Sequence, residues 1–561
     1  MIHWLATAAI LPSAGYSVAK ESGVDWIQDP SGKRLLSFGV CVVDAGTPFL
    51  DYDPRNPSYA AFQHYGSPQD WAADTTKRLT EWGFNTVGAW SQIEPLRAVP
   101  GSKLYYTPIL HMGSSAGAPW RDMWDPAVVQ MMDGLARDQI KPVAADPRVI
   151  GFFSDNEMGW WEGALFDWAW KTAGARQHVV GVMRRRYGNW TALLSDFIPS
   201  GAYSFEQLAK SGRLYLRPGG KGMEAVQEYT HVLAERYYSL CRASIKKYAP
   251  HSLYLGDRYI SNYYPEVATA AADYVDILST NLNADWNDGN FTQSYLPDLE
   301  RITGKPILIS EYYMSATENS SGNKNDSSGF PVVKTQAERA QGFAAATRYL
   351  FQLPYVVGAH WFQYSDEPKN GRGDGENYNF GLVDVNNQPY PDLCATSAGL
   401  RPEALHQAGS APLPSALDGV PELSGDPNDL GSWPRDHAFV PPFGIFPRGD
   451  LYLGWSGGNL YAAFYWNEDR FPEAFYKDGK VAAADRAKIH VSVNGETIDL
   501  VAPDTDTAGS PFHRLNGVRE LEVVKLPVTA SAALRFEATL DTRGRAYQGH
   551  WAGTLHLSGR S

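Results

Sequence analysis

Two glutamates that end buried, apolar segments are the residues of this chain best placed to do chemistry. Glu157 closes the segment GFFSDNE, and Glu311 closes KPILISE. A pair of carboxyl groups across one bond can supply a proton donor and a nucleophile or base, and hydrolysis of a glycosidic bond needs such a pair. One glutamate alone favours a solvated loop acid, but two at the ends of separate strands favour catalysis. A carboxyl separation of roughly 5–5.5 Å predicts retention of anomeric configuration, whereas ~6.5–9.5 Å predicts inversion.

The elements that position these residues are eight short apolar segments that alternate with helical patterns. Continuous apolar runs of this kind are typical of parallel strands buried on both faces. Eight such strands with intervening helices favour an α/β fold, a closed (β/α)8 TIM barrel over residues 31–400. A doubly wound open sheet is the alternative, but no glycine-rich phosphate loop follows the first strand. The eight segments begin at Leu35, Phe84, Leu104, Arg148, Ser252, Tyr274, Lys305 and Val356.

The helical patterns carry their own start and stop signals. Residues 70–83 begin with an acid and end at Gly83, and the long amphipathic segment 223–250 ends at a proline. Thr335 and Glu338 form a Thr-x-x-Glu capping box at the start of a third helix.

Polar side chains at the carboxyl ends of barrel strands are expected to surround the substrate, because the βα loops gather there. With Glu157 and Glu311 as the catalytic pair, the predicted substrate-binding residues are Asp155, Asn156, Trp160, His111, Arg258, Asn281, Tyr313, His360, Trp361, Gln363, Glu376 and Asn377. Trp361 would contact the substrate or cap the barrel interior. The histidines and Gln363 would donate to hydroxyls, and Glu376 and Asn377, with Arg372, would contact substrate or order their loop.

The rest of the chain changes in character. Residues 1–30 form an N-terminal segment that reads as the remnant of an export signal or as a first packed segment, so we expect a secreted or periplasmic protein, with a cytoplasmic one left open. Residues 401–443 are rich in Pro, Gly, Ala and Ser and predict a linker. Residues 444–561 alternate with period two and predict an antiparallel β-sandwich, either like a carbohydrate-binding module or purely structural. Its candidate sugar-stacking residues are Trp455, Tyr465, Trp466 and Trp551.

The net charge and the cysteine content exclude several classes of ligand and of binding site. A net charge of −13 without a basic run argues against nucleic acid and against a strongly sulfated glycan, and favours a neutral ligand. No apolar run is long enough to span a bilayer, so no membrane partner is expected. Three widely spaced cysteines exclude a disulfide framework and a cysteine-based zinc site. The histidines lack zinc-ligand spacing, and DEPKNGRGDGENYNFG lacks the EF-hand pattern, so neither a metal nor another cofactor is expected.

Two motifs carry a resemblance to a known clan. Asn156-Glu157 at the end of strand four and ISEYY at the end of strand seven resemble the clan A retaining glycoside hydrolases. Within the clan, GFFSDNEMGWW, YLGDRYIS and GAHWFQYSDEPKNGRGDGENYNFGLVDVNNQPYPDL look like the β-agarases of glycoside hydrolase family fifty, in order from about Leu35 to Leu400.

The resemblance implies a role for each residue of the two motifs. Glu157 would be the acid/base with a raised pKa, Asn156 would hold the sugar 2-hydroxyl, and Glu311 would be the nucleophile. Glu311 should stay ionised, helped by a donor such as Arg258 or a nearby tyrosine. The implied substrate is a neutral, galactose-containing polysaccharide or its oligosaccharides. A β-galactosidase or another β-glycanase of the clan is the alternative, and a non-catalytic glycan-binding protein is the alternative of another class.

Overall fold

The structure is a computed structural model in which most of the chain up to residue 406 is described. The described residues are 15–260, 264–282, 295–327, 330–406, 417–418, 448–456, 459–467, 472–485, 488–493, 496–501, 521–525, 533–542, 545–547 and 553–556. None of the helices in these ranges combines the length and the apolar character that crossing a bilayer requires.

The first sixteen strands are short and are separated mainly by helices. They are β1 (Ser17–Glu21), β2 (Val24–Gln28), β3 (Arg34–Leu35), β4 (Ser37–Val40), β5 (Thr86–Val87), β6 (Tyr105–Tyr106), β7 (Gly151–Phe152), β8 (Phe197–Ser200), β9 (Arg213–Leu216), β10 (Leu253–Tyr254), β11 (Tyr259–Ile260), β12 (Leu278–Asn281), β13 (Ile307–Tyr312), β14 (Ser315–Ala316), β15 (Val332–Val333) and β16 (Val356–Trp361).

The helices of the same part of the chain lie mostly between these strands. They are α1 (Pro68–Glu81), α2 (Ile93–Arg97), α3 (Met112–Ala116), α4 (Pro126–Ile140), α5 (Glu162–Ala169), α6 (Ala173–Tyr187), α7 (Trp190–Leu193), α8 (Phe205–Leu208), α9 (Gly222–Tyr248), α10 (Pro265–Ala272), α11 (Tyr295–Thr303), α12 (Gln336–Gln352), α13 (Pro391–Gly399) and α14 (Pro402–Leu405). Short 3-10 helices lie at Phe49–Asp51 and Ala61–Gln63.

The central sheet is parallel, in the order β11-β12-β13-β16-β4-β5-β6. Every residue of β4, β13 and β16 is buried, as is typical of parallel strands that are covered on both faces. Parallel strands bring their carboxyl ends to one edge. Residues that follow β4, β5, β13 and β16 therefore meet there, although they are far apart in sequence.

Two further parallel strands lie between the ends of this sheet. β7 pairs with β10, and bridges from Tyr106 to Val149 and from Ile109 to Phe153 connect the β6 segment to the β7 segment. On the other side, the backbone N–H of Ile277 donates to the carbonyl of Tyr254. The segment that ends in Glu157 is thereby hydrogen-bonded to both of its neighbours.

The helix signals in the sequence locate the helix ends. The Ser67 side chain accepts from the N–H of Asp70 to cap α1, and α9 ends at Tyr248, shortly before Pro250. The predicted capping box at α12 is confirmed, since Thr335 and Glu338 each accept from the other's backbone N–H.

The amino-terminal strands pack against the opposite edge of the parallel sheet. Tyr16 donates through its N–H to the carbonyl of His251 and through its hydroxyl to that of Pro147, two residues that precede parallel strands. At the other end, His406 lies within hydrogen-bond distance of the carbonyls of Asp25 and Phe351, so the packed part of the chain extends through residue 406. Most of the predicted linker 401–443 and residues 1–14 lie outside the described residues.

The strands near the carboxyl end form two sheets. They are β17 (Leu417–Asp418), β18 (Arg448–Ser456), β19 (Asn459–Asn467), β20 (Lys488–Val493), β21 (Glu496–Val501), β22 (Leu521–Lys525), β23 (Ala533–Thr542), β24 (Arg545–Tyr547) and β25 (Gly553–His556), with α15 at Pro472–Phe475. One sheet has the order β17-β18-β19-β22, and the other joins β21, β20, β23, β24 and β25. Their pairings are antiparallel except for β17 with β18. Trp551 and the side chains of Trp455, Tyr465 and Trp466 lie outside the described part.

Candidate active site

A cavity of about 440 Å³ opens at the carboxyl edge of the parallel strands. Its polar wall consists of Asn156, Glu157, Glu311, Arg372, Asp374 and Glu376. Its apolar wall consists of Val42, Trp90, Tyr313, Phe330, Phe362 and Phe380. Carboxylates facing aromatic rings suit an uncharged ligand with hydroxyl groups and apolar C–H faces, which is the chemistry of a sugar.

An unusual backbone conformation recurs where the strands end at this cavity. Val42, Trp90, His111, Glu157 and Arg258 all have a positive φ, between 49° and 57°. They follow β4, β5, β6, β7 and β10. Non-glycine residues rarely adopt this conformation, least of all β-branched valine, and such strain persists only where the surroundings hold it. At Glu157 the holding contacts are hydrogen bonds from its N–H to the carbonyls of Asp257 and Arg258, at 3.1 and 3.2 Å.

One amide connects the two glutamates. Nδ2 of Asn281, at the end of β12, lies 2.8 Å from Oε1 of Glu157 and 3.0 Å from Oε1 of Glu311. Because both oxygens contact one nitrogen, they lie no farther apart than about 6 Å. The predicted convergence of strand four and strand seven on one pocket is thus present in the structure.

The Asn281 amide also contacts Asn156, and Arg258 provides Asn156 with a second hydrogen-bond donor. Nδ2 of Asn281 lies 3.1 Å from Oδ1 of Asn156, which also accepts from Nε of Arg258 at 2.8 Å. An amide has two hydrogens. Because Arg258 already donates a hydrogen bond to Asn156, both amide hydrogens of Asn281 can be donated to the two carboxylates. Ser310 donates to Oδ1 of Asn281 at 2.7 Å and so sets the direction in which Nδ2 points.

Arg258 lies beneath the cavity, where it touches the catalytic candidates and contacts aromatic rings. Its side chain is fully buried, and Nη2 forms an ion pair with Oε1 of Glu311. The guanidinium lies 4.3 Å from the ring centre of Trp90 and 5.0 Å from that of Phe153. These rings hold the cation by cation–π attraction and exclude water from its charge. Arg258 is therefore placed away from the predicted contact with substrate, and it makes the predicted contact with Glu311 and a further one with Asn156.

Burial changes the proton affinity of Glu311. It raises the pKa of this carboxyl from 4.5 to about 7; the Arg258 cation opposes the rise, and the negative charge of Glu157 adds to it. The expected help from Arg258 in keeping Glu311 ionised is present in direction, since the cation opposes the rise in pKa, but desolvation outweighs it. Two carboxyl groups that share one donor are expected to titrate as a coupled pair.

The structure brings several of the predicted residues to the pocket. Asn156, Glu157, Glu311, Tyr313 and Glu376 line it. His111 lies just behind the wall, where its Nε2 accepts from Nε1 of Trp90 at 3.1 Å and orients that ring.

Four other predicted residues are buried behind the wall instead: Asp155, Trp160, His360 and Trp361. Asp155 accepts from the backbone N–H groups of Gly113 and Ser114 and from the Tyr237 hydroxyl, so it anchors the start of α3. The Trp160 indole donates to Asp257 at 2.9 Å. For both side chains, the expected contact with substrate is replaced by buried hydrogen bonds within the protein.

His360 and Trp361, at the end of β16, are both fully buried. His360 lies 2.8 Å from the Ser37 hydroxyl, and burial lowers its pKa to about 3, so it stays neutral. The Trp361 indole donates to the carbonyl of Phe380 and packs edge-on against Tyr312 and Phe343. Trp361 is thus a core residue, and the aromatic wall comes from other rings.

Arg372 holds the loop that follows β16 in shape through ion pairs with carboxylates of the same loop. This guanidinium bonds to Asp374 at 2.9 Å and to Glu376 at 2.7 Å. The side chain of Asn377 accepts hydrogen bonds from the backbone N–H groups of Asp326 and Ser327. Gln363 is buried, and its backbone N–H donates to the carbonyl of Phe380. Within the described ranges, no group of three or more His, Cys, Asp or Glu side chains is arranged to hold a metal ion.

Four of the five aromatic rings that line the cavity were missed from the sequence, and only Tyr313 was predicted. Trp90 ends FNTVGAW, so a strand-end rule that included aromatics would have found it. Phe330, Phe362 and Phe380 gave no such signal, because a phenylalanine in a loop or beside a strand end is more often core.

Known proteins resemble more than half of the chain. No protein-family model matches it. Beta-agarase B of Vibrio sp. (strain JT0107) is 28% identical over 346 residues, 58% of this chain and 35% of that protein. Beta-agarase A of the same organism is 28% identical over 364 residues, with the same shares. The resemblance to β-agarases is confirmed.

This β-agarase-like chain spans 35% of the length of these curated relatives. Among solved structures, that of an agarase, AgWH50C, matches with a TM-score of 0.59 at 22% identity, over 70% of this chain and 65% of that chain. A likeness of this degree shows a shared fold, while substrate and activity have to be argued from the site.

Proposed function

We propose that this chain is a retaining glycoside hydrolase that cleaves β-glycosidic bonds in a neutral, galactose-containing polysaccharide or its oligosaccharides. The observation that carries the proposal is the shared donor, since Nδ2 of Asn281 contacts a carboxylate oxygen of Glu157 and one of Glu311. Two carboxyl groups at opposite sides of one amide, in a cavity walled by aromatic rings, can flank a single glycosidic bond.

The spacing of the two carboxyl groups supports retention. Their hydrogen-bonded oxygens lie within about 6 Å, and inverting pairs stand ~6.5–9.5 Å apart to admit a water molecule. A closer pair leaves room for direct attack by one carboxylate. Glu311 is then the nucleophile and Glu157 the acid and base.

The reaction divides into two displacements. In the first, a Glu311 oxygen forms a bond to the anomeric carbon as the bond to the leaving oxygen breaks, and Glu157 gives that oxygen its proton. In the second, Glu157 takes a proton from water, the water oxygen bonds to the anomeric carbon, and Glu311 is released. Both donors to Glu311 among the described residues act on Oε1, which leaves Oε2 for the attack.

Arg258 sets which carboxyl group carries the shared proton. Its guanidinium pairs with Glu311, so the ionised form of Glu311 is stabilised relative to that of Glu157. Burial is the main cause of the raised pKa of Glu311, and the smaller contribution from the charge of Glu157 is removed when Glu157 carries the proton. The reactive state is thus a protonated Glu157 beside an ionised Glu311.

A neutral substrate fits the charges of the cavity. Arg372 is the one cation among the lining residues described, and Asp374 and Glu376 are bonded to it. A sulfated sugar would meet carboxylates without a free cation to pair with. The names of the curated relatives, beta-agarases, support an agarose-like galactan as the first substrate to test.

The fold that we infer for this function is a closed (β/α)8 barrel. The seven-stranded sheet and the β7–β10 pair are connected on both sides by backbone contacts, which supports a ring of parallel strands. The two carboxyl-terminal sheets support the predicted β-sandwich, whose role as a glycan-binding or structural unit stays a prediction.

The test is Glu311→Gln, with reducing ends released from agarose and oligosaccharides as the readout and product stereochemistry followed by NMR. We expect turnover to fall at least ~10³-fold, because an amide is a poor nucleophile, and the wild type to yield the β-anomer first. Glu81→Gln, on the exposed end of α1, is the matched control.

Three outcomes separate the alternatives. Full activity of Glu311→Gln would end the assignment, and an α-anomer as first product would exclude retention. Sugar binding without release of reducing ends by the wild type would favour the non-catalytic glycan-binding protein.

A further inference from the structure

An exposed cluster of apolar side chains lies in the loop that follows β4. Phe49 is 74% exposed and Leu50 is 91% exposed, although large apolar side chains are usually buried. The Phe62 ring, 41% exposed, packs edge-on against Phe49 at 5.4 Å and against Tyr52 at 5.7 Å. We call Phe49, Leu50, Tyr52 and Phe62 the aromatic ridge.

The loop that carries the ridge is held in shape by its own contacts. An antiparallel bridge joins Gly46 to Ala60 at its base, and the hydroxyls of Thr47 and Ser58 lie 2.7 Å apart. The edge-on ring contacts fix the ridge further, so its exposed rings are presented in one arrangement. A surface arranged in advance costs less order when it binds.

The same loop is bonded to the wall of the cavity. Nδ2 of Asn56 donates to the carbonyl of Gly371 at 3.1 Å, and the N–H of Asn370 donates to Oδ1 of Asn56 at 2.8 Å. Gly371 directly precedes Arg372, which lines the cavity. At its other end, the loop begins beyond Val42, another lining residue. The loop that carries the ridge is therefore attached to the cavity rim at both of its ends.

We propose that the aromatic ridge is a further binding subsite for the polysaccharide chain, beyond the sugar held in the cavity. This inference rests on the proposed function. A hexopyranose of a neutral galactan has an apolar C–H face that stacks on an aromatic ring, and the ridge offers rings and a leucine without a free cation beside them. Arg55, the cation of the loop, is bonded to Asp53.

The test compares polymer with short substrate. The variant with Phe49→Ala and Leu50→Ala is measured on agarose and on an agarose-derived tetrasaccharide. We expect KM for the polymer to rise about three- to tenfold, the worth of one or two lost stacking contacts, with kcat/KM on the tetrasaccharide unchanged within about twofold. Phe49→Trp keeps a ring and should keep polymer binding. Tyr203→Ala, 84% exposed in the separate β8–β9 region, is the control and should change neither.

Affinity electrophoresis separates this inference from the proposed function. In the Glu311→Gln background, agarose in the gel should retard the protein, and the ridge substitutions should remove most of the retardation. Unchanged polymer KM and unchanged retardation would overturn the subsite. Equal losses on polymer and tetrasaccharide would overturn it as well, since the loop would then act through the cavity.

Two more outcomes have a defined meaning. If the ridge variant changes only the oligomeric state, the surface binds a second copy of the chain and the subsite is overturned. If the wild type hydrolyses none of the galactans yet loses its retardation when the ridge is changed, the subsite stands and the hydrolase proposal fails.

Discussion

The hydroxyl of Ser310 donates to Oδ1 of Asn281 over 2.7 Å, and this hydrogen bond determines which way the Asn281 amide faces. With Oδ1 engaged, Nδ2 is directed at Glu157 and Glu311. A flipped amide would present an oxygen to two carboxylates, and that arrangement is repulsive. A serine with no place in the cavity lining thus orients the group that the two glutamates share.

Ser310→Ala should therefore lower kcat about fivefold with little change in KM, because one hydrogen bond of about 1 kcal/mol no longer holds the amide. Steady-state kinetics on a galactan oligosaccharide measures both constants. Ser397→Ala, a buried serine on α13, is the control for loss of a hydroxyl. An unaltered kcat in Ser310→Ala would show that the amide keeps its direction without the hydroxyl.

Asn281→Asp places a third carboxylate against the pair. Repulsion should raise the pKa of Glu311 further, so the acidic limb of the pH profile of kcat/KM moves to higher pH and turnover at pH 7 falls. Asn281→Ala removes the donor without adding charge. It should lose activity with a smaller shift of that limb, and equal shifts in both variants would contradict the electrostatic explanation.

Arg258→Met removes the cation that pairs with Glu311. Without it the pKa of Glu311 should rise above about 7, and turnover at neutral pH should fall at least ~10²-fold, because the nucleophile is protonated. Breaking a buried ion pair also costs about 3–5 kcal/mol, so the free energy of unfolding should fall in urea titrations. Arg258→Lys keeps the positive charge, so its turnover at neutral pH should lie between those of the wild type and Arg258→Met. Wild-type activity in Arg258→Met would exclude this role for Arg258.

Glu311 also makes stability depend on pH. Its pKa is about 7 in the folded chain against an ordinary 4.5, so the folded state binds the extra proton between these values. Stability contributed by this group is present at acidic pH and is lost as the pH rises from about 4.5 to 7, by up to about 3 kcal/mol. Urea unfolding of wild type and Glu311→Gln at pH 5 and pH 8 measures it. The variant should gain stability relative to wild type at the higher pH, and a constant difference would contradict the raised pKa.

The sequence was a good guide to residues that end strands and a poor one to the direction of their side chains. Glu157 and Glu311 were found because carboxylates at the end of apolar segments have few structural explanations. His360 and Trp361 satisfied the same rule, yet neighbours in a strand point to opposite faces. His360 faces Ser37 within the sheet, and Trp361 faces Phe343 on α12.

By itself, the sequence determined the alternation of buried parallel strands with helices, the capping of α12, the resemblance to β-agarases and the two glutamates. Those features depend on local composition and spacing, which the chain carries along its length. Only the tertiary structure decided that Arg258 supports Glu311 from below, that Asn281 contacts both carboxylates and that Trp90 and three phenylalanines form the aromatic wall. These contacts join residues from different strands and loops, and strand register, together with the left-handed turns at the strand ends, selects which side chains reach the cavity.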